Sequence, residues 1–446
     1  MKAKRILALL LAAMMVLALV ACGNSGDKKE TTADSSKTDT KTDTKTAEGG
    51  SVYWLNFKPE LDETLQDLAK KYTEAKGVEV KVVTAASGTY STTLTAEMDK
   101  TEAPTLFVIG NQQGVKDWGD FALDLKDTAI AKELNTDAYN LYDENGKLVS
   151  IGYCYECYGI IVNPTLIEKA GHTMDEIKNF AGLKAVAEDI HSKASELGFD
   201  AFSSSDMDDS SSWRFTGHLA NLEYYYEEKE AGGWTECPAS LTGKYMENYK
   251  NLYDLIINNS LTAPTDLATG GHDAEAEFKD GKAAFFVNGS WEYAAVSEAV
   301  PNATMIPYYC GVEGEEKAGL NCGTENCWAV NANASEADQQ ATIDFMVWLV
   351  SDPEASATMV GQLGIMPYKN AAASTNGFLN DAAKYTADGC YVMDWATNYQ
   401  PNVDEYRKDL VSALNAYNSD QTDANWDLVK TAFVDGWAKQ YQAVNG

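Results

Sequence analysis

Residue patterns that would carry covalent chemistry are few in this 446-residue chain. Its four His (172, 191, 218, 272) are far apart and form no His-Glu-x-x-His or similar metal motif. No Gly-x-Ser-x-Gly, P-loop or EF-hand loop occurs. Cys154-x-x-Cys157 invites a redox or zinc reading, but on a strand these side chains point to opposite faces, and no second Cys-x-x-Cys completes a four-cysteine zinc site. With 67 Asp and Glu, a carboxylate pair near any site carries almost no information about acid–base chemistry. The spacing offers recognition instead: rings and planar polar groups placed where strands end. Trp54 and Asn56 close the first apolar run, and Asn111 and Gln112 come after the third. Ligands of α/β sheets gather beyond the carboxyl ends of strands. Trp291 comes after the run Lys282–Val287 and an Asn-Gly pair; Trp213-Arg214 comes after an acidic, Ser-rich loop, Ser203–Ser212. Period-two alternation along Ile151–Tyr158 puts Gly152, Cys154, Glu156 and Tyr158 on one face. Each ring has a plainer alternative in core packing, and Trp348, Trp426 and Trp437, in helical patterns, are assigned to it.

The elements that must position these residues alternate. Ser51–Phe57 has strand composition; Leu61, Leu65, Leu68 and Tyr72 then recur at helical spacing up to Gly77. Val78–Val83 alternates as a strand, Tyr90–Lys100 is a second helix candidate, and Thr105–Ile109 is a continuous apolar run suited to a strand buried on both faces. Strand–helix–strand–helix–strand in so short a span predicts an α/β fold. Further on, Ile151–Val162 and Lys282–Val287 are strands. Helices are predicted over Leu183–Leu197, Tyr245–Asn258, Ala274–Lys279, Ala337–Val350 with Ser335 as N-cap, and Trp426–Tyr441, with another starting at Pro353.

The first fifty residues are an address. Lys2, Lys4 and Arg5 precede an apolar run from Ile6 to Ala21, short for a permanent span. Gly23–Gly50 collapses to Ser, Thr, Lys, Asp and Gly, which cannot repay the entropy of ordering. Without these segments the chain holds 27 basic and 61 acidic residues, and so negative a body disfavours nucleic acid as a partner.

Four separated segments carry a resemblance. Leu19-Val20-Ala21-Cys22-Gly23 resembles a bacterial lipoprotein box. With it come Tyr155–Asn163, Gly281–Trp291 and Gly364-Ile365-Met366-Pro367. In this order the chain resembles the extracellular solute-binding proteins of bacterial ABC importers, in the carbohydrate group. The resemblance implies cleavage after residue 21, lipidation of Cys22 and a tether over 22–50. It implies two discontinuous α/β lobes joined by a hinge: 51–156 plus 308–352, and 157–307 plus 353–446. It implies a monomer on the outer face of the cytoplasmic membrane that captures an oligosaccharide, such as a malto-oligosaccharide or α-galactoside, and delivers it to permease subunits. No catalysis, cofactor or metal is expected.

A pyranose has apolar C–H faces and a rim of hydroxyls, so it suits aromatic plates and planar hydrogen-bonding groups. By the resemblance, Trp291 is the cleft tryptophan, Glu156 and Tyr158 the carboxylate and ring near a lobe crossing, Glu325 a residue of a ligand-facing connection, and Met366 a cleft contact. Trp54, Asn56, Asn111, Gln112, Trp213 and Arg214 complete the expected site. A secreted glycoside hydrolase, or an adhesin or peptide-binding lipoprotein, is the alternative. Seven cysteines remain after Cys22; Cys322 and Cys327, with Cys310 nearby, are the expected disulfide candidates.

Overall fold

The computed structural model describes residues 49–86, 88–208, 210–364 and 366–445. The expected signal, Cys22 and the tether up to residue 48 lie outside the described residues. Twelve strands occur in chain order among the described residues: β1 (Ser51–Asn56), β2 (Glu79–Thr84), β3 (Leu106–Val108), β4 (Leu141–Tyr142), β5 (Leu148–Gly152), β6 (Glu156–Val162), β7 (Asp200–Phe202), β8 (Ala283–Gly289), β9 (Thr304–Ile306), β10 (Ala318–Gly323), β11 (Cys327–Val330) and β12 (Tyr391–Asp394). They form two six-stranded sheets. The first runs β2-β1-β3-β11-β5-β4; the second runs β12-β10-β6-β8-β7, with β9 on β6.

Each sheet anchors a lobe. In the first, β1 pairs in parallel with β2 and β3, and all its residues but Ser51 are buried, as helices on both faces require. Helix Asp62–Lys76 turns Leu65, Leu68, Ala69 and Tyr72 inward and stops at Gly77, in the left-handed region at φ 71°. Helix Glu336–Ser351 starts at Ser335, whose side chain accepts from the Asp338 amide. In the second lobe, β6 and β8 are buried along their whole length. Helices Met246–Asn258, Val403–Ser419 and Asp423–Asn445 close over that sheet's core. No helix among the described residues is long and apolar enough to cross a membrane.

Where the chain changes lobes corrects the expected boundaries. The run Ile151–Val162 is two strands in different sheets, β5 and β6, separated by Tyr153–Tyr155. The second crossing is 324–326, well after 307: β10 still pairs with β6 and β12. The third comes after helix Pro353–Leu363, which buries Ala355, Met359, Val360 and Leu363 in the first-lobe core, whereas helix Gly377–Ala387 packs Phe378 and Leu379 into the second. The crossings are tied together: the Tyr153 amide donates to the Asn326 carbonyl at 2.9 Å, and Tyr368 Oη donates to the Gly152 carbonyl at 3.0 Å.

All seven cysteines from Cys154 to Cys390 are free. Cys154 lies in the first-lobe core and Cys157 in the second. The disulfide candidates Cys310, Cys322 and Cys327, whose pairing the sequence leaves open, are all free: Cys322 and Cys327 sit on strands of different sheets, and Cys322 stands across from Cys157 in the β10–β6 register.

Candidate ligand-binding site

Asn56 ends β1 and folds the chain back on itself. Its Oδ1 accepts from the Lys58 amide (3.0 Å) and its Nδ2 donates to the Lys58 carbonyl (2.6 Å). This turn directs Lys58 to the lobe junction, where its Nζ donates to Glu156 Oε1 at 2.9 Å and Glu60 at 3.3 Å. Glu156 opens β6, and its other oxygen accepts from Asn326 Nδ2 at 2.8 Å. One buried ion pair thus joins the β1 loop to two crossings. Burial alone would lower the Lys58 pKa, but Glu156 and Glu60 beside it raise it above the usual lysine range.

From the second lobe an aromatic cluster faces this lysine. Arg214–Leu219 is a turn of π-helix, a wide form frequent at functional sites. It presents His218 flat on Tyr158, centroids 4.0 Å apart and planes 6° from parallel. Trp213 meets His218 edge-on at 4.8 Å, Trp291 lies 5.3 Å from His218 and 6.0 Å from Trp213, and Trp395 lies 5.1 Å from Tyr158. Lys58 Nζ is 5.6 Å from the Trp291 ring centroid, a cation–π contact between lobes. Trp291 sits in the turn Ser290–Glu292 after β8, folded so closely over Gly289 that a Cβ there would fall 2.2 Å from its ring. Only glycine allows that close approach.

Burial, then the nearby charges of Arg407, Arg214 and Lys58, hold the His218 pKa well below the usual histidine range, so the ring is neutral. Arg214 lies against the Trp213 ring, its Cζ 4.4 Å from the centroid, with Nε donating to the Val287 carbonyl at 3.1 Å. Glu292, next to Trp291, is raised to about 7 by burial and by Glu275. Tyr158 Oη, His218 Nδ1 and Trp395 Nε1 are buried with no hydrogen-bond partner among the described residues. A cavity of about 590 Å³ opens between the lobes, lined by Gly88–Thr89 and the adjoining helix Tyr90–Met98 on one side and Asp404, Glu405 and Lys408 on the other.

The structure brings Glu156, Tyr158, Trp213, Arg214 and Trp291 into this one region. Glu325 is half-buried near it, its backbone packed on Gly110 beside Asn111. Asn111 caps helix Gln112–Trp118 by accepting from the Gly114 amide, and Gln112 is that helix's first residue. Two expectations are corrected. Trp54 is a core residue, 1% exposed and edge-on to both Trp328 and Phe345, because β1 is covered on both faces. Met366 is likewise buried in the first-lobe core. Asn56, fully buried, acts through Lys58. Lys58, His218, Asn326 and Arg407 fall in the same region without having been expected there, and Trp395, directly after β12, lies there too. Asn326 neighbours Glu325 in the Gly-rich connection, and His218 stands one turn after Arg214; Lys58 and Arg407 have no local signal.

A family model described as "Bacterial extracellular solute-binding protein" matches residues 67–389. Among solved structures, the fold is similar to the substrate-binding protein RafE in complex with raffinose (18% identity, 87% of this chain and 99% of that one covered, TM-score 0.66). It is also similar to the GacH receptor of Streptomyces glaucescens, determined unliganded and with acarbose (18%, 88% and 98%, TM-score 0.62), and to a sugar transporter of Bacillus licheniformis in complex with stachyose (16%, 87% and 99%, TM-score 0.63). At such identities these likenesses establish the two-lobed α/β fold.

Proposed function

The chain belongs to the bacterial extracellular solute-binding proteins, and from that premise we propose that it captures an oligosaccharide between its lobes and delivers it to the permease of an ABC importer. The observation that carries this reading is the ring cluster of Trp213, Trp291, Trp395, His218 and Tyr158, gathered on the second lobe opposite Lys58 of the first. Rings offer flat area for pyranose C–H faces, and the unpartnered Tyr158 Oη, His218 Nδ1 and Trp395 Nε1 are costly while the cluster is closed on itself. Opening about the crossings would part Lys58 from Trp291 and bare this face of the second lobe to a ligand. Closure around ligand then remakes the junction. The raffinose, acarbose and stachyose complexes of proteins with this fold support a saccharide as the ligand class. Lipidation of Cys22 would hold the body at the membrane that contains its permease.

Calorimetric titration with raffinose, stachyose and malto-oligosaccharides tests the reading. Binding with the sugar recovered unchanged is the expected result; hydrolysis product would assign a glycosidase instead, and no binding by any saccharide would sink the proposal. Closure should appear in solution scattering as a smaller radius of gyration with ligand.

A further inference from the structure

Resting on the saccharide reading above, we infer that the ligand is an acidic one: a sugar bearing an oxyanion, carboxylate or sulfate, held by Arg214 and Arg407 beside the ring cluster. The observation is where the arginines are. The chain has only three Arg, at 5, 214 and 407, so every basic residue after residue 50 is Lys apart from two. Both of those flank the same turn. Arg214 opens the π-helical turn that carries His218. Arg407, from helix Val403–Ser419, covers the same turn's backbone so closely that a Cβ on Gly217 would lie 2.9 Å from its Nη2.

Neither guanidinium has a carboxylate within 4.0 Å among the described residues. Arg214, 9% exposed, donates Nε to the Val287 carbonyl and Nη1 to Ser211 Oγ; Arg407 donates Nε to Gln400 Oε1 at 2.7 Å. The carboxylates whose charges reach Arg214, those of Glu292, Asp206 and Asp208, act on it only through space and hydrogen-bond elsewhere. Asp206 holds His272, Asp208 accepts from Ser210, and Glu292 accepts from Asn288 Nδ2. Asp404, one turn before Arg407, makes no ion pair with it. Lys58, by contrast, is matched by Glu156.

Burial strips water from the Arg214 guanidinium, and neither it nor the half-buried Arg407 has a paired carboxylate among the described residues to replace that water. Arginine differs from lysine in its rigid fork of donors, which fits an oxyanion two bonds at a time. Rings for the sugar faces and forks for the charge together describe an acidic pyranose.

The test is calorimetry on the full-length protein with three matched sets: uronic-acid oligosaccharides, sulfated oligosaccharides and their neutral counterparts, each at low and high salt. Tighter binding of at least one acidic set, weakening as salt rises, is expected, and whichever set binds better identifies the oxyanion. R407Q and R214Q should each weaken acidic binding roughly ten- to hundredfold and neutral binding far less. Melting temperatures of the free variants accompany the titrations. Should R214Q fail to fold, R214K and R407Q carry the comparison. Neutral sugars binding as tightly as acidic ones, with R407Q weakening both alike, overturns this inference and leaves the saccharide reading standing. Absence of binding by all three sets overturns both.

Discussion

Two groups of large rings, one in each lobe, begin from similar sequence surroundings. Trp54 and Trp328 stand on strands of the first lobe, packed with Phe345; Trp213, Trp291 and Trp395 stand in turns after elements of the second, packed with His218 and Tyr158. The first group shares its core with Leu65, Tyr72, Leu106 and Met346. Around the second are Lys58, Arg214, Arg407 and Glu292. A ring's role is set by the groups that share its space. Apolar neighbours make it a structural weight; charged neighbours make it one face of a recognition site, whereas an unpartnered indole nitrogen occurs in both groups.

Trp54 gives the contrast its hardest trial. Trp54→Ala should lower unfolding free energy by about 3–5 kcal/mol through the cavity it leaves, while the protein still folded binds sugar normally. Chemical denaturation with a parallel titration would check this, and a large affinity loss without destabilisation would move Trp54 into the site.

At the junction between the two groups, Lys58→Met leaves Glu156 buried without its cation. The expected cost is about 3 kcal/mol, and K58M/E156L should recover most of it, since replacing both partners removes the stranded charge. Failure of the double variant to recover would mean that the pair does more than neutralise itself.

Trp291→Ala should show the opposite balance to Trp54→Ala. It should lose about 2–4 kcal/mol of binding, roughly 30- to 700-fold in Kd, with little change in the melting temperature of the free protein. A large drop in melting temperature with near-normal affinity would return Trp291 to the core.

A subtler effect isolates the electrostatic half of the contrast. Glu292 is raised from 4.5 to about 7, so the folded state holds its proton more tightly than the unfolded chain. Its contribution is intact below pH 4.5 and is lost as pH rises through about 7. Glu292→Gln should therefore flatten the fall in melting temperature between about pH 5 and 8, whereas Trp54→Ala should leave the slope of that fall unchanged. Parallel slopes for wild type and E292Q would remove Glu292 as the source.

Local features were legible from residue order. Apolar periodicity, the Gly77 stop, the Ser335 cap and the Pro353 start place helices and strands where the structure has them, because each is set by contacts within a few residues. The strand-to-turn placement of Trp291 was legible for the same reason. Partnership was settled only in three dimensions. Ile151–Val162 reads as one strand, since nothing in its residues says that Gly152 pairs with Cys327 of one sheet and Cys157 with Cys322 of the other. Trp54 and Trp291 both lie near the end of a strand run, and only the helix laid over β1 makes the first a core residue. Lys58 and Arg407 gave no local sign, because their meaning lies in groups 98 residues away at Glu156 and across the π-helical turn at Gly217. Burial and charge pairing act through space, and the chain order does not record them.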